Sequence, residues 1–220
     1  MNLKNAEQAI KSISKTEVET YSEYWANISP KSTEEIFYRW LFAQLSVHTS
    51  WSMNVSSYLL LKKNINNWID DRQELSRLLI ESRVGLHKTR EKGIWHTSQT
   101  IFKGDDPYLK QDGESWIDCR DRLMKEIYGL GLAKTAFALE LCFPLANDSV
   151  CLDTHMLQLY GFEPKEVAKG NKGKTYKEIE KHWADTCKEL EIPPYIARCV
   201  FWDKKQHQQD SKYWSYVFEK

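Results

Sequence analysis

Apolar residues recur at helical spacing through the long segments of this chain, and the residues that interrupt helices are scarce: nine glycines and six prolines among 220 residues. Strands half-buried in a sheet would alternate instead. The chain therefore reads as all-α. The stretch STEEIFYRWLFAQLS shows the pattern, because Ser32 is followed three residues later by Glu35, a capping box, and Ile36, Trp40, Leu41 and Leu45 then share one face of a buried helix. Further helices are predicted over 51–62, 72–81, 88–102, 115–127, 132–142, 154–160, 175–190 and 193–203. The breakers KGDDPY (103–108), YGLG (128–131) and GFEPKEVAKGNKGK (161–174) are short loops rather than domain joints. No internal repeat or low-complexity stretch is visible.

Composition bounds the function. With 41% hydrophobic and 13% aromatic residues the chain can bury a sizeable core. No apolar run approaches the roughly 20 residues of a membrane span, and the polar opening carries no signal-peptide stretch, so a cytoplasmic protein with no membrane contact is expected. Cys119, Cys142, Cys151, Cys187 and Cys199 are odd in number and form no CxxC pair, which predicts reduced thiols and no metal. The 31 basic and 31 acidic residues cancel, which excludes a histone-like protein and requires any nucleic-acid contact to be a local basic patch. Two candidates are RVGLHKTREK, with Arg83, Lys88, Arg90 and Lys92, and KGNKGKTYK, with Lys169, Lys172, Lys174 and Lys177. Each can serve phosphates or simply be a solvated face.

The densest chemistry lies in 127–161. IYGLG sets Gly129, Leu130 and Gly131 between two apolar helices, a helix-hairpin-helix pattern over about 118–142. Glycines permit backbone angles and close approach that larger residues forbid, so the hairpin amides and the helix start at Ala133 can hold a phosphate of a DNA backbone; a plain helix–helix turn has the same pattern. Asp153 opens the next helix. Its side chain can cap that helix by accepting from the N–H of His155 or Met156, and the apolar SVCL before it predicts partial burial. It follows Lys134 by 19 residues, one helix and one turn, so that a carboxylate and an amine could share a cleft floor.

This stretch resembles the helix-hairpin-helix plus Gly/Pro-Asp motif of the base-excision DNA glycosylases, the endonuclease III and adenine- or 8-oxoguanine-glycosylase superfamily. FYRWLFAQLSVHTSWSMNV (37–55) is similar to that family's LLSxQT helix and loop, and VGLHKTREKGIWHTSQTIF (84–102) to its GLYxxKAxxI helix, so the similarity runs in the family's order over roughly residues 30–165. The resemblance implies a single domain over 1–220, two-lobed with a central DNA-binding cleft, acting as a monomer without cofactor on double-stranded DNA. It implies that Asp153 is the catalytic carboxylate, which stabilises positive charge on the deoxyribose and orients the nucleophile. Lys134 matches the Schiff-base lysine of the strand-cutting members if the alignment is anchored on KTA; anchored on the two glycines, Ala133 takes that place. His48 stands where many members carry a glutamine that enters the space of the flipped nucleotide, or it is a structural residue. His155 has a counterpart in the family and is expected to brace its helix rather than perform chemistry.

The chain departs from the four-cysteine iron–sulfur ending of endonuclease III, so no cluster is expected. The C-terminal segment, 193–220, instead interleaves Trp202, Tyr213, Trp214, Tyr216 and Phe218 with Lys204, Lys205 and Lys212, which suits base stacking or a closing helix packed on the core. Three readings of function result. The first is hydrolysis of the N-glycosidic bond of a damaged or modified base, with lyase activity if Lys134 is the nucleophile. The second is amine transfer to an activated hydroxymethyl-uracil, as in the thymine pyrophosphorylases assigned to bacterial viruses. The third is non-catalytic binding to DNA structure.

Overall fold

The computed structural model describes residues 1–104, 108–206 and 215–218, with no strand among them. The helices are α1 (Leu3–Lys11), α2 (Lys15–Asn27), α3 (Thr33–Leu45), α4 (Trp51–Lys63), α5 (Ile65–Trp68), α6 (Arg72–Glu81), α7 (His87–Lys103), α8 (Trp116–Glu126), α9 (Leu132–Cys142), α10 (Thr154–Leu159), α11 (Val167–Gly170), α12 (Gly173–Glu189), α13 (Pro194–Lys205) and α14 (Ser215–Phe218). They fall into two compact units, one of residues 30–138 and one of 1–29 with 139–220, the boundary lying within α9.

In the 30–138 unit, α3 packs on α4 and α7, and α7 on α6. Because α3 has neighbours on more than one side, every residue from Phe37 to Leu45 is buried. The expectation of one apolar face is corrected accordingly: a helix buried all round belongs to the middle of a core. Phe37, Trp40, Phe42, Tyr58 and Trp68 are fully buried, and Phe42 meets the Tyr58 ring edge-on at 5.4 Å. At its start Ser32 Oγ accepts from the Glu35 N–H at 3.1 Å, but the Glu35 carboxylate accepts from the Lys31 N–H, so the box closes one residue early.

In the other unit, α13 packs on α2, and α12 on α1 and α13. Two helices here, α1 and α2, were not among those predicted. Each shows only a short buried stripe, Ala6 with Ile10 and Tyr21 with Trp25, too few positions for periodicity to detect in polar surroundings. The signal for α2 was present in Ser14 and Glu17, which form a reciprocal capping box, Glu17 N–H to Ser14 Oγ at 3.2 Å and Ser14 N–H to Glu17 Oε2 at 2.7 Å. Trp25 packs against Tyr195 of α13 at 4.8 Å, and Tyr21 Oη donates to Asp203 at 2.8 Å. The expected loop 161–174 also contains structure, a 3-10 turn at Pro164–Glu166 and then α11. Gly170 lets α11 close on α10, because a Cβ there would stand 2.8 Å from Leu157 Cδ2. Of the C-terminal aromatic and basic residues, Lys212, Tyr213, Trp214 and the Tyr216 side chain lie outside the described residues.

Candidate active site

Asp153 stands at the end of a buried, irregular segment whose amides have no helical partners. Side chains supply them instead. Val150 N–H donates to Glu180 Oε1 at 3.0 Å, Cys151 N–H to Glu140 Oε1 at 3.0 Å and Leu152 N–H to Tyr176 Oη at 3.2 Å, while Tyr176 Oη donates to Val150 O at 2.6 Å. Leaving such groups unpaired would cost about 1–3 kcal/mol each, which gives two carboxylates a reason to be buried. The segment is thus a rigid approach to α10.

There Asp153 takes the N-cap, and its Oδ1 accepts from the Met156 N–H at 2.9 Å. The other oxygen, Oδ2, lies 3.4 Å from Arg198 Nη1, and the side chain keeps 26% of its surface open. Arg198 itself is buried. Its Nε and Nη2 fork onto Glu140 at 3.0 and 2.7 Å, and its guanidinium lies over the Tyr195 ring at 5.2 Å. Burial pushes the Glu140 carboxyl up, to about 7, against the opposing pull of Arg198 and the Cys151 N–H. Burial also works against the charge of Arg198, but Glu140, Cys151, Asp153 and Cys199 together outweigh it and hold the guanidinium well above its usual range. Donors on both oxygens of Glu140 favour its ionised form, so the pair is a charged one. His155 meets Gln206, the C-cap just past α13, at 2.9 Å and links the two helices. In the same unit Lys172 is exposed, and Lys174 is exposed beside Glu178 at 3.8 Å.

The hairpin lies in the other unit. Gly129 has φ +85°, a left-handed angle that only glycine adopts freely, whereas Gly131 is not left-handed. A Cβ on Gly131 would meet nothing within 4 Å, so this glycine is required by neither strain nor packing and leaves open space over the hairpin. Leu130 is buried and anchors the turn. Gly131 O accepts from the Lys134 and Thr135 N–H at 3.1 and 3.0 Å, and the first-turn amides of α9, at Leu132 and Ala133, are those an α-helix leaves without an internal acceptor. Lys134 is half-buried with its ammonium 5.2 Å from the Phe137 ring centre. Helix α7 approaches the hairpin through Gly93, where a Cβ would come within 2.7 Å of Tyr128 O.

Arg90 overturns one expectation. It is 4% exposed, and its guanidinium donates to the carbonyls of Leu45, Val47, Val84 and Gly85 and to the Thr49 hydroxyl. With its donors directed inward it does not serve a phosphate; it ties the loop after α3 to the loop before α7. Lys88 is exposed, as is Lys92, whose ammonium lies 3.9 Å from the Tyr128 ring centre. His48 is exposed with φ +50°, carried on the loop that Arg90 braces.

Glu140, Arg198, Glu180, Tyr176 and Gly93 were not singled out from sequence. For the first two a signal existed: Glu140 is the single charge in TAFALELC (135–142), as Arg198 is in PYIARCVFW, and opposite lone charges in two apolar stretches suggest a buried pair. All five cysteines are buried free thiols. Among the described residues no helix is long and apolar enough to cross a membrane.

The chain is similar to three solved structures. The 8-oxoguanine DNA glycosylase of Methanocaldococcus jannaschii shares 20% identity over 94% of both chains, with a TM-score of 0.70. The same organism's 8-oxoguanine glycosylase/lyase, in complex with a 15mer DNA containing 8-oxoguanine, shares 19% identity over 94% of this chain and 97% of that one, TM-score 0.69. The 8-oxoguanine DNA glycosylase of Thermotoga maritima shares 20% over 95% and 98%, TM-score 0.68. No protein-family model and no curated protein matches the sequence. The chain therefore has the same overall fold as these 8-oxoguanine DNA glycosylases.

Proposed function

We propose that the chain is a DNA glycosylase that binds double-stranded DNA, turns a nucleotide out of the stack and cleaves the N-glycosidic bond of a modified base, with Asp153 as the catalytic carboxylate. The observation that carries this reading is the setting of Asp153 on this fold: one oxygen caps α10, the other meets Arg198 at the long distance of 3.4 Å, and the side chain keeps 26% of its surface exposed. As the base leaves with the bonding electrons, the sugar becomes oxocarbenium-like, and a fixed carboxylate stabilises that charge far better than water does. A water then adds to the sugar carbon and loses a proton, and the departing base gains one.

The hairpin amides with Gly129, Leu130, Gly131 and Ala133, the exposed Lys88, and Lys172 and Lys174 are candidate phosphate contacts, and His48 is a candidate for the space of the flipped nucleotide. Lyase activity requires an amine to replace the water, and Lys134 is its candidate. Because the three structural neighbours are 8-oxoguanine enzymes, 8-oxoguanine is the substrate to try first.

The test is incubation with a duplex carrying 8-oxoguanine opposite cytosine, followed by mass spectrometry for free base and by borohydride trapping. Free base is expected from the parent protein and none from Asp153→Asn, which should still fold, since asparagine caps a helix about as well as aspartate. A borohydride-trapped adduct lost in Lys134→Gln adds the lyase step. Binding without release from any modified duplex would favour base remodelling or a structural binder instead.

A further inference from the structure

Arg198 and Glu140 lie behind Asp153 and take no part in the reaction just described. Their arrangement is nevertheless more specific than a buried ion pair needs. A guanidinium is planar and rigid, so pinning Nε and Nη2 on Glu140 fixes where Nη1 stands. That third nitrogen is the one facing Asp153 Oδ2, at 3.4 Å. The same Glu140 also holds the Cys151 N–H, two residues before Asp153, and Asp153 N–H donates to Cys151 O at 3.1 Å. One buried carboxylate therefore references both the backbone that delivers Asp153 and the cation that faces it.

The α10 cap alone leaves this carboxylate underdetermined, because a single bond to Oδ1 allows the plane to turn. Arg198 removes that freedom. Its charge is already matched by Glu140, so it steers Asp153 at 3.4 Å without drawing it into a close ion pair.

We propose that Arg198, locked by Glu140, is a positioning residue that sets the plane of the Asp153 carboxylate and leaves Oδ2 available to the reaction. This rests on the reading of Asp153 as the catalytic carboxylate. The ionisable groups that act on the pair within its unit include Asp153 itself, the Cys151 and Cys199 thiols and the Tyr195 hydroxyl, whose ring lies under the Arg198 guanidinium.

The experiment combines Arg198→Lys with Asp153→Asn and reads two signals. A lysine keeps the charge but cannot fork onto Glu140 and reach Asp153 together. Steady-state release of 8-oxoguanine should show kcat down about tenfold with KM within about twofold, the pattern of a misplaced catalytic group rather than of weakened binding. The Met156 amide, the donor to Asp153 Oδ1, should shift in the ¹H–¹⁵N spectrum and exchange faster in Arg198→Lys, and Arg198→Lys should have no such effect in the Asp153→Asn background. Glu140→Gln, which retains an acceptor for the Cys151 N–H, should behave like Arg198→Lys and serves if that variant fails to fold. If the parent releases no base, the reading of function fails, and the Met156 amide alone decides the positioning role. Equal Met156 changes in both backgrounds, or none in either, or an unchanged kcat in a parent that does release base, would overturn the proposal.

Discussion

Arg198 and Glu140, 58 residues apart in sequence, meet in a two-point fork with Nε to Oε1 at 3.0 Å and Nη2 to Oε2 at 2.7 Å, both side chains buried. Removing one member leaves the other as an uncompensated buried charge. Glu140→Ala should therefore lower unfolding free energy by about 3–5 kcal/mol in urea titrations, partly through the orphaned Cys151 N–H. A cost under about 1 kcal/mol would mean that the pair is not closed in solution.

Arg90 and Lys88 are two residues apart and should fail in opposite ways. Arg90→Lys strands carbonyls of two loops and should cost about 2–4 kcal/mol in thermal or chemical unfolding. Lys88→Ala should leave stability unchanged and, if Lys88 meets a phosphate, reduce the slope of log affinity against log salt by about 0.9. Fluorescence anisotropy over a salt series separates the two.

The two hairpin glycines can be told apart in the same manner. Gly129→Ala places a side chain at φ +85° and 3.3 Å from Thr89 Cγ2, and should cost about 1–2 kcal/mol. Gly131→Ala meets no atom within 4 Å and should be neutral in stability, yet weaken binding to duplex DNA by filling the space that a phosphate would use. Gly131→Ala that binds DNA like the parent would remove the hairpin from the interface.

Glu114 supplies a pH test of the loop before α8. Its hydrogen bonds to Arg122 hold its carboxyl down at about 2 against the opposing effect of burial, and the Gln111 N–H adds to this. A depressed carboxyl stabilises the fold above its unfolded value of 4.5, and that contribution is lost as pH falls from there through about 2. Arg122→Gln should return the Glu114 titration, followed by carboxyl ¹³C shifts, towards 4.5 and move acid unfolding to higher pH. A titration unmoved by Arg122→Gln would assign the depression to another cause.

How far the sequence reaches can be seen in particular elements. Helices α6 and α9 occur over the predicted 72–81 and 132–142, because periodicity and capping are local properties that a single helix already contains. Asp153 likewise caps α10 through Met156, since the N-cap bond spans only three residues. The N-terminal helices were less legible, as two buried residues each give a weak period, and their stability comes from α12 and α13, far along the chain.

What the sequence alone determined is the helical class, most helix positions, the hairpin and the aspartate that heads α10. Only the tertiary structure decided which charges face inward. Arg90 and Lys88 belong to one basic run, yet one is buried among carbonyls and the other is in solvent. Glu140 and Arg198 are single letters in apolar helices until folding sets them against Asp153. The physical reason is range: capping and periodicity act within a few residues, whereas the cost of burying a charge depends on partners tens of residues away, and only the folded chain brings those partners within hydrogen-bonding distance.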